Sequence, residues 1–126
     1  MRDTTKALYE FYSGFDLPAY VEGLVPDNAE LPYITFDAVD SGISSPSLHH
    51  VRVWYPGTDN SLPSEKADDI IYAIADGVRL VADTGIVVLY PGTPLVQLQT
   101  VDDGTDKYIC CAYINLSAIS YTVEGA

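Results

Sequence analysis

Basic residues are scarce in this chain. Six Lys+Arg stand against 18 Asp+Glu, leaving a formal charge of −12 over 126 residues. A surface of that sign does not supply the phosphate-neutralising patch on which nucleic-acid binding rests. It is equally unsuited to anionic membrane surfaces. Long apolar runs are missing too: no segment approaches the roughly 18 consecutive apolar residues of a membrane span. The opening Met1-Arg2-Asp3-Thr4-Thr5-Lys6 leads into no continuous apolar stretch, so no secretory signal is expected and the chain is expected to fold in the cytoplasm. Cysteine is limited to the neighbours Cys110 and Cys111. Adjacent strand residues point to opposite faces, and a disulfide between them would be strained. Two small, buried, reduced side chains are the expectation.

Catalytic signatures are also lacking. There is no Gly-x-Ser-x-Gly elbow, no glycine-rich loop opening a helix, and no His-Glu-x-x-His. His49-His50 is the one histidine pair. As strand neighbours the two would face apart, which reads as a polar strand end rather than a metal site. Asp102, Asp103 and Asp106 lie within five residues, but the spaced oxygen series of a calcium loop, closing in a Glu, does not follow. They read as a solvated hairpin tip. The cysteines sit in an apolar strand without a local base, which raises a thiol pKa. The chain is expected to need no metal or cofactor and to catalyse nothing.

What is present is a core. Nearly half the chain, 48%, is hydrophobic, so it is no disordered acidic tail. Its length suits one domain spanning residues 1–126, burying roughly two-thirds of its unfolded surface without staples. Leu8, Phe11 and Phe15 fall on one face of a helix over Ala7–Phe15, with Thr4 or Thr5 as cap. A turn-rich stretch with Gly23, Pro26, Asp27-Asn28 and Pro32 follows, and its Tyr20, Val21, Leu24 and Val25 need packing partners. Ile34, Phe36 and Ala38 alternate with Tyr33, Thr35 and Asp37 in a strand. A second strand, His49–Tyr55, sets Val51, Val53 and Tyr55 against His50, Arg52 and Trp54. Ser61 or Ser64 is positioned to cap a second helix, in which Ala67, Ile70, Ile71, Ile74 and Val78 recur and Asp68, Asp69 and Asp76 face water. Ile86–Tyr90, Leu95–Val101 and Tyr108–Ile119 read as three further strands. The predicted class is α+β in the order α-β-β-α-β-β-β. It has a mostly antiparallel sheet of about five strands and two main helices on one face. The other sheet face is left for loops or another subunit.

Tyr-Pro-Gly-Thr occurs twice, at Tyr55–Thr58 and Tyr90–Thr93. Pro followed by Gly suits a type II turn, so the same turn is expected to end a strand at both places. The other surplus is aromatic, with ten Tyr, three Phe and one Trp. Tyr9, Tyr12 and Tyr20 lie off the Leu8/Phe11/Phe15 face, and Tyr33 and Trp54 lie on the less apolar strand faces. Tyrosine suits interfaces because it offers area plus a polar tip. These five are candidates for a subunit interface; ordinary half-buried core and rim is the equal alternative.

One resemblance emerges from longer stretches. The run Leu8-Tyr9-Glu10-Phe11-Tyr12-Ser13-Gly14-Phe15-Asp16-Leu17-Pro18-Ala19-Tyr20 leads to Val25-Pro26 and then Leu31-Pro32-Tyr33-Ile34-Thr35-Phe36. Val53-Trp54-Tyr55 precedes an acidic helix containing Ala67-Asp68-Asp69-Ile70. Ile86-Val87-Val88-Leu89-Tyr90-Pro91-Gly92-Thr93-Pro94 and Tyr113-Ile114-Asn115-Leu116 follow. Together they resemble the tail terminator (minor capsid or tail-completion) proteins of tailed bacteriophages and prophages of Gram-positive hosts. The resemblance implies an α+β protomer that closes into a ring, usually a hexamer. The ring would cap the tail tube, end its polymerisation and meet head-completion or connector proteins, and in contractile tails the sheath as well. DNA would pass through its lumen without specific binding, and no membrane is implied. The expected location is the virion tail or neck, with the host cytoplasm during assembly. The loops Asp40–Leu48 and Asp102–Lys107 would reach neighbours or the tube. Asp102, Asp103 and Asp106 are candidates to line the lumen. A head-closure or minor tail protein of the neck is the near alternative. A small acidic ligand-binding domain or enzyme is the distant one.

Overall fold

The computed structural model describes residues 3–39, 47–82, 85–102 and 108–122. Asp40, Asp103 and Asp106 lie outside them, and with them most of both predicted reaching loops. The elements run α1 (Asp3–Ser13), β1 (Ala19–Val21), β2 (Tyr33–Phe36), β3 (Ser47–Pro56), α2 (Ser61–Ile74), β4 (Val78–Val81), β5 (Gly85–Asp102) and β6 (Tyr108–Thr122). The class is α+β, but the order is α-β-β-β-α-β-β-β. The strands form one mixed sheet in the order β1-β2-β3-β6-β5-β4. Only β1 and β2 pair in parallel.

Both helices pack on one face of this sheet. Leu8 and Tyr12 from α1 and Ala67, Ile70 and Ile74 from α2 meet Ile34, Phe36, Val51, Val53, Val87, Leu89, Ala112, Ile114, Leu116 and Ala118. α1 touches both outer strands, β1 and β4, so the sheet curls around the helices. Lys66 Nζ donates to the Phe15 carbonyl at 2.8 Å and ties α2 to the end of α1.

Four expectations need correction. First, α1 starts four residues before Ala7, and Thr4 and Thr5 are buried inside it rather than capping it. Thr4 Oγ1 donates to the Val39 carbonyl at 3.0 Å. The α2 N-terminus is held by neither Ser61 nor Ser64: Asp59 Oδ1 accepts from the Ser61 N–H at 3.0 Å and the Ser61 hydroxyl at 2.6 Å.

Second, Ala19–Val21 is a strand and not loop, because Pro18 and Phe36 carbonyls accept from Ile34 and Glu22 across the β1–β2 pair. Third, α2 ends at Ile74, where Ala75 takes φ 51° and Gly77 takes φ 156°. Val78 then starts β4 with its side chain still turned toward the core.

Fourth, the predicted strands Ile86–Tyr90 and Leu95–Val101 are one 18-residue strand. The ladder with β6 steps from Pro91↔Leu116 to Val96↔Ile114, a bulge instead of a turn. The two Pro-Gly pairs therefore do different things. Gly57 has φ 95° and lies in the bend that ends β3, whereas Gly92 has no positive φ. At Gly92 the constraint is space: a Cβ there would lie 2.6 Å from the Asn115 carbonyl oxygen and 2.9 Å from its carbon.

Candidate functional site: the helix-free sheet face

Strand alternation sorts the sheet into two faces. The pairings Tyr33↔Trp54, Thr35↔Arg52, His50↔Asn115, Arg52↔Tyr113, Trp54↔Cys111 and Gln97↔Tyr113 place these residues on the face opposite the helices. Tyr20, paired with Thr35, joins them. Tyr20 and Tyr33 meet edge to face with ring centroids 5.5 Å apart. Trp54 Nε1 donates to Thr35 Oγ1 at 2.9 Å, and Thr35 is buried. The tryptophan thus has its polar atom satisfied and remains half-exposed.

Arg52 is the centre of the face. Its guanidinium lies 4.8 Å over the Tyr113 ring, a cation–π geometry. Its Nη1 donates to Asp37 Oδ1 at 3.3 Å and to Glu22 Oε2 at 3.4 Å. Asp37 Oδ2 accepts from the His50 N–H at 2.9 Å and lies 3.0 Å from His50 Nδ1. Burial alone would raise the Asp37 carboxyl; the hydrogen bonds from the His50 backbone and from Arg52 outweigh it and hold the pKa below its ordinary value. Burial likewise opposes the Arg52 charge, and Tyr113 and Asp37 outweigh it, so its pKa is raised. The Glu22 partner is 44% exposed and contributes little through solvent screening, whereas Asp37 is the more sheltered. These charges are paired for position, and the Asp37 carboxyl is held ionised.

The five predicted interface aromatics therefore separate. Tyr20, Tyr33 and Trp54 share this face. Tyr9 lies on α1, away from it, and is 42% exposed. Tyr12 is corrected outright: it is fully buried and its hydroxyl lies 2.9 Å from His49 Nε2. A side chain with no exposed area has nothing to offer a partner surface. Sequence reasoning missed Tyr113, Asp37 and Glu22 as members of the face. Tyr113 was open to discovery through its alternation with Cys111 and Asn115, and Asp37 already alternated onto this face with Tyr33 and Thr35; Glu22 needed the β1–β2 pairing. Asp102 is the last residue of β5, and Asp103 and Asp106 lie outside the described residues.

A cleft of about 270 Å³ opens beside Tyr113, lined by Gln97, Leu98, Gln99 and Tyr113. Its described lining holds no carboxylate, imidazole or thiol. His49 and His50 point to opposite faces, and among the described residues no cluster of three His, Cys, Asp or Glu side chains is placed to hold a metal. No helix among them is long and apolar enough to cross a membrane.

Cys110 and Cys111 are free and buried on opposite faces. Burial raises both thiol pKa values, pushing Cys111 up to about 12. Neither should react with an aromatic disulfide reagent in native buffer near pH 8, and both should react at once in denaturant. A thiol titrated in native buffer would contradict this burial.

No protein-family model, no curated protein and no solved structure matches the chain.

Proposed function

We propose that the chain is a structural assembly protein of a tailed-phage particle, a tail terminator whose copies close into a ring on the tail tube. The observation that carries this reading is the helix-free face. Tyr20, Tyr33, Trp54 and Tyr113 surround a paired Arg52–Asp37–His50 network on the one sheet surface that the helices leave open. Aromatic anchors around a fixed arginine are the composition of a recognition surface. The stretches that carry the resemblance fall on framework elements: α1 through β1, β2, the end of β3 with α2, the first half of β5, and the middle of β6.

Head-to-tail contacts between identical copies close when the rotation closes. Tyr20→Lys and Tyr33→Lys put unpaired charge on this face and should abolish ring formation while leaving the far-ultraviolet circular dichroism of the protomer unchanged. Carboxylates facing the lumen, with Asp102, Asp103 and Asp106 as candidates, would repel phosphates and let DNA slide. A neutral or basic lumen in the assembled particle would remove that role.

The decisive experiment is disruption of the gene in its phage. Over-long or headless tails are expected. Heads that fill but fail to retain DNA would give the chain to head closure instead. Normal tails would end the assembly reading.

A further inference from the structure

The outer strands of this sheet are blunted as edge strands usually are. β1 has three residues, and β4 has four with the exposed Arg79 among them. β5 is different. β4 pairs only with Ile86–Leu89, and among the described residues no strand covers the same edge of β5 from Leu95 to Asp102. That overhang is Leu95-Val96-Gln97-Leu98-Gln99-Thr100-Val101, about 20 Å of strand. In a chain of charge −12 these seven residues hold no charged residue and no proline; Pro94 and Asp102 bound them at either end.

Four successive residues, Gln97 to Thr100, are exposed although they lie within a strand, and Leu98 is 48% exposed. The cleft beside Tyr113 runs along the same residues. Asn60 reaches Thr100 Oγ1 at 3.3 Å, a side-chain contact that uses no backbone group of the strand. The uncharged, β-prone overhang lacks the charge, proline and brevity that protect other edges.

We propose that the β5 overhang pairs antiparallel with the same overhang of a second copy across a two-fold axis at Leu98, so that the two sheets become one. Three features select a copy over another partner. The overhang is neutral where the rest of the chain is acidic, so two copies meet here without opposing like charges; a different partner of so acidic a protein would favour acidic contact residues. The sequence is self-complementary about Leu98: Leu98 faces Leu98, and Gln97 faces Gln99 on the helix-free side, where the two amides can exchange hydrogen bonds. The edge is also stepped to fit. In this register the partner strand reaches its own Asp102 opposite Pro94, five residues short of Leu89, where β4 begins to cover the edge. The contact is two-fold and thus independent of a ring, whose contacts run head to tail. One short strand pair buries less than the roughly 1,200 Å² of a standard interface, so the dimer depends on concentration.

Sedimentation equilibrium of the full chain should show one protomer passing to two as concentration rises. Leu98→Lys places two ammonium groups on the axis and should leave a monomer at every concentration, with an unchanged melting temperature at dilutions where the wild type is also monomeric, because Leu98 is half-exposed. Leu98→Cys should give a covalent dimer with diamide as oxidant. Thr100→Cys, which faces Val96, should give none; the native cysteines are buried.

A wild-type monomer throughout would overturn the proposal. So would a dimer that survives Leu98→Lys, or cross-linking at Thr100→Cys in place of Leu98→Cys. Protection of the 96–101 amides only when another phage protein is added would give the edge to that partner and overturn the dimer. A closed ring built from protomers that show no Leu98-dependent dimer would overturn the edge contact and leave the ring reading standing. Normal tails without the gene, with the Leu98-dependent dimer intact, would do the reverse.

Discussion

Gly92→Ala should destabilise the protein by about 3 kcal/mol or more, read as a shift of the urea unfolding midpoint. Overpacking a core costs about 1–3 kcal/mol when side chains can yield. Here the new methyl meets the Asn115 carbonyl oxygen at 2.6 Å and its carbon at 2.9 Å. Those atoms belong to β6, which is held by β5 on one side and β3 on the other. Neither strand can move away without breaking a ladder, so the upper end of the range applies.

The second Pro-Gly pair supplies the control. Gly57 has open space around its Cβ position but φ 95°, so Gly57→Ala should cost only about 1–2 kcal/mol of backbone strain. Gly57→Asn should recover part of that, since asparagine tolerates positive φ better. Gly92→Asn should recover nothing. Equal costs at the two glycines would contradict the bulge.

These two glycines also mark where the sequence stops being legible. Tyr-Pro-Gly-Thr reads the same at both sites, and the local rule predicts a turn twice. At Gly57 the chain bends with φ 95° as β3 ends, while its N–H still donates to the Tyr108 carbonyl of β6 at 2.7 Å. At Gly92 the flanking runs Ile86–Tyr90 and Leu95–Val101 both pair with the long β6, and that ladder overrides the local preference. Val78 is a similar case. It continues the spacing of Ile70, Ile71 and Ile74, yet it is the first residue of β4 and still reaches the core.

Strand alternation was the reliable guide. It separated Val51, Val53 and Tyr55 from His50, Arg52 and Trp54, and the structure keeps that division. Tyr12 shows why a helix is harder. Leu8 pairs equally well with Phe11 and Phe15 or with Tyr12 at helical spacing. The choice fell to His49, 37 residues away, which takes the Tyr12 hydroxyl. β1, three residues long and parallel to its partner, carries no periodic signal at all. Without it, Glu22 and Tyr20 have no place on the sheet.

The same Tyr12–His49 pair sets the acid sensitivity of the fold. His49 is buried beneath α1, its ring stacked 5.9 Å from that of Tyr12, and among the described residues no side-chain or backbone group lies within hydrogen-bonding geometry of its Nδ1. Burial disfavours the imidazolium. The nearby Asp37 favours it, His50 and Arg52 oppose it, and the outcome is a pKa lowered from 6.5 to about 4. Above pH 6.5 the imidazole is neutral in both the native and the unfolded chain, and it adds no pH dependence. Between pH 6.5 and 4 the unfolded chain binds a proton that the native one refuses, so stability falls as pH falls. Below pH 4 both forms are protonated and the loss levels off. A lowering of that size is worth about 3 kcal/mol, a large part of the roughly 5–15 kcal/mol that holds a domain together. Asp37 adds to the acid loss at lower pH, because its depressed carboxyl stabilises the fold only while ionised.

Urea unfolding at pH 7.5 and pH 4.5 should therefore differ by about 2–3 kcal/mol. The double substitution Tyr12→Phe with His49→Leu removes both polar partners together, so it strands no buried donor and should keep most of the stability at pH 7.5. In that variant the fall between pH 6.5 and 4.5 should nearly vanish, leaving only the carboxylate loss below it. Tyr12→Phe alone strands His49 Nε2, and so should cost about 1–2 kcal/mol at pH 7.5 while leaving the acid slope in place. If the double variant kept the full slope, the proton would be binding elsewhere, and the buried imidazole would be innocent of it.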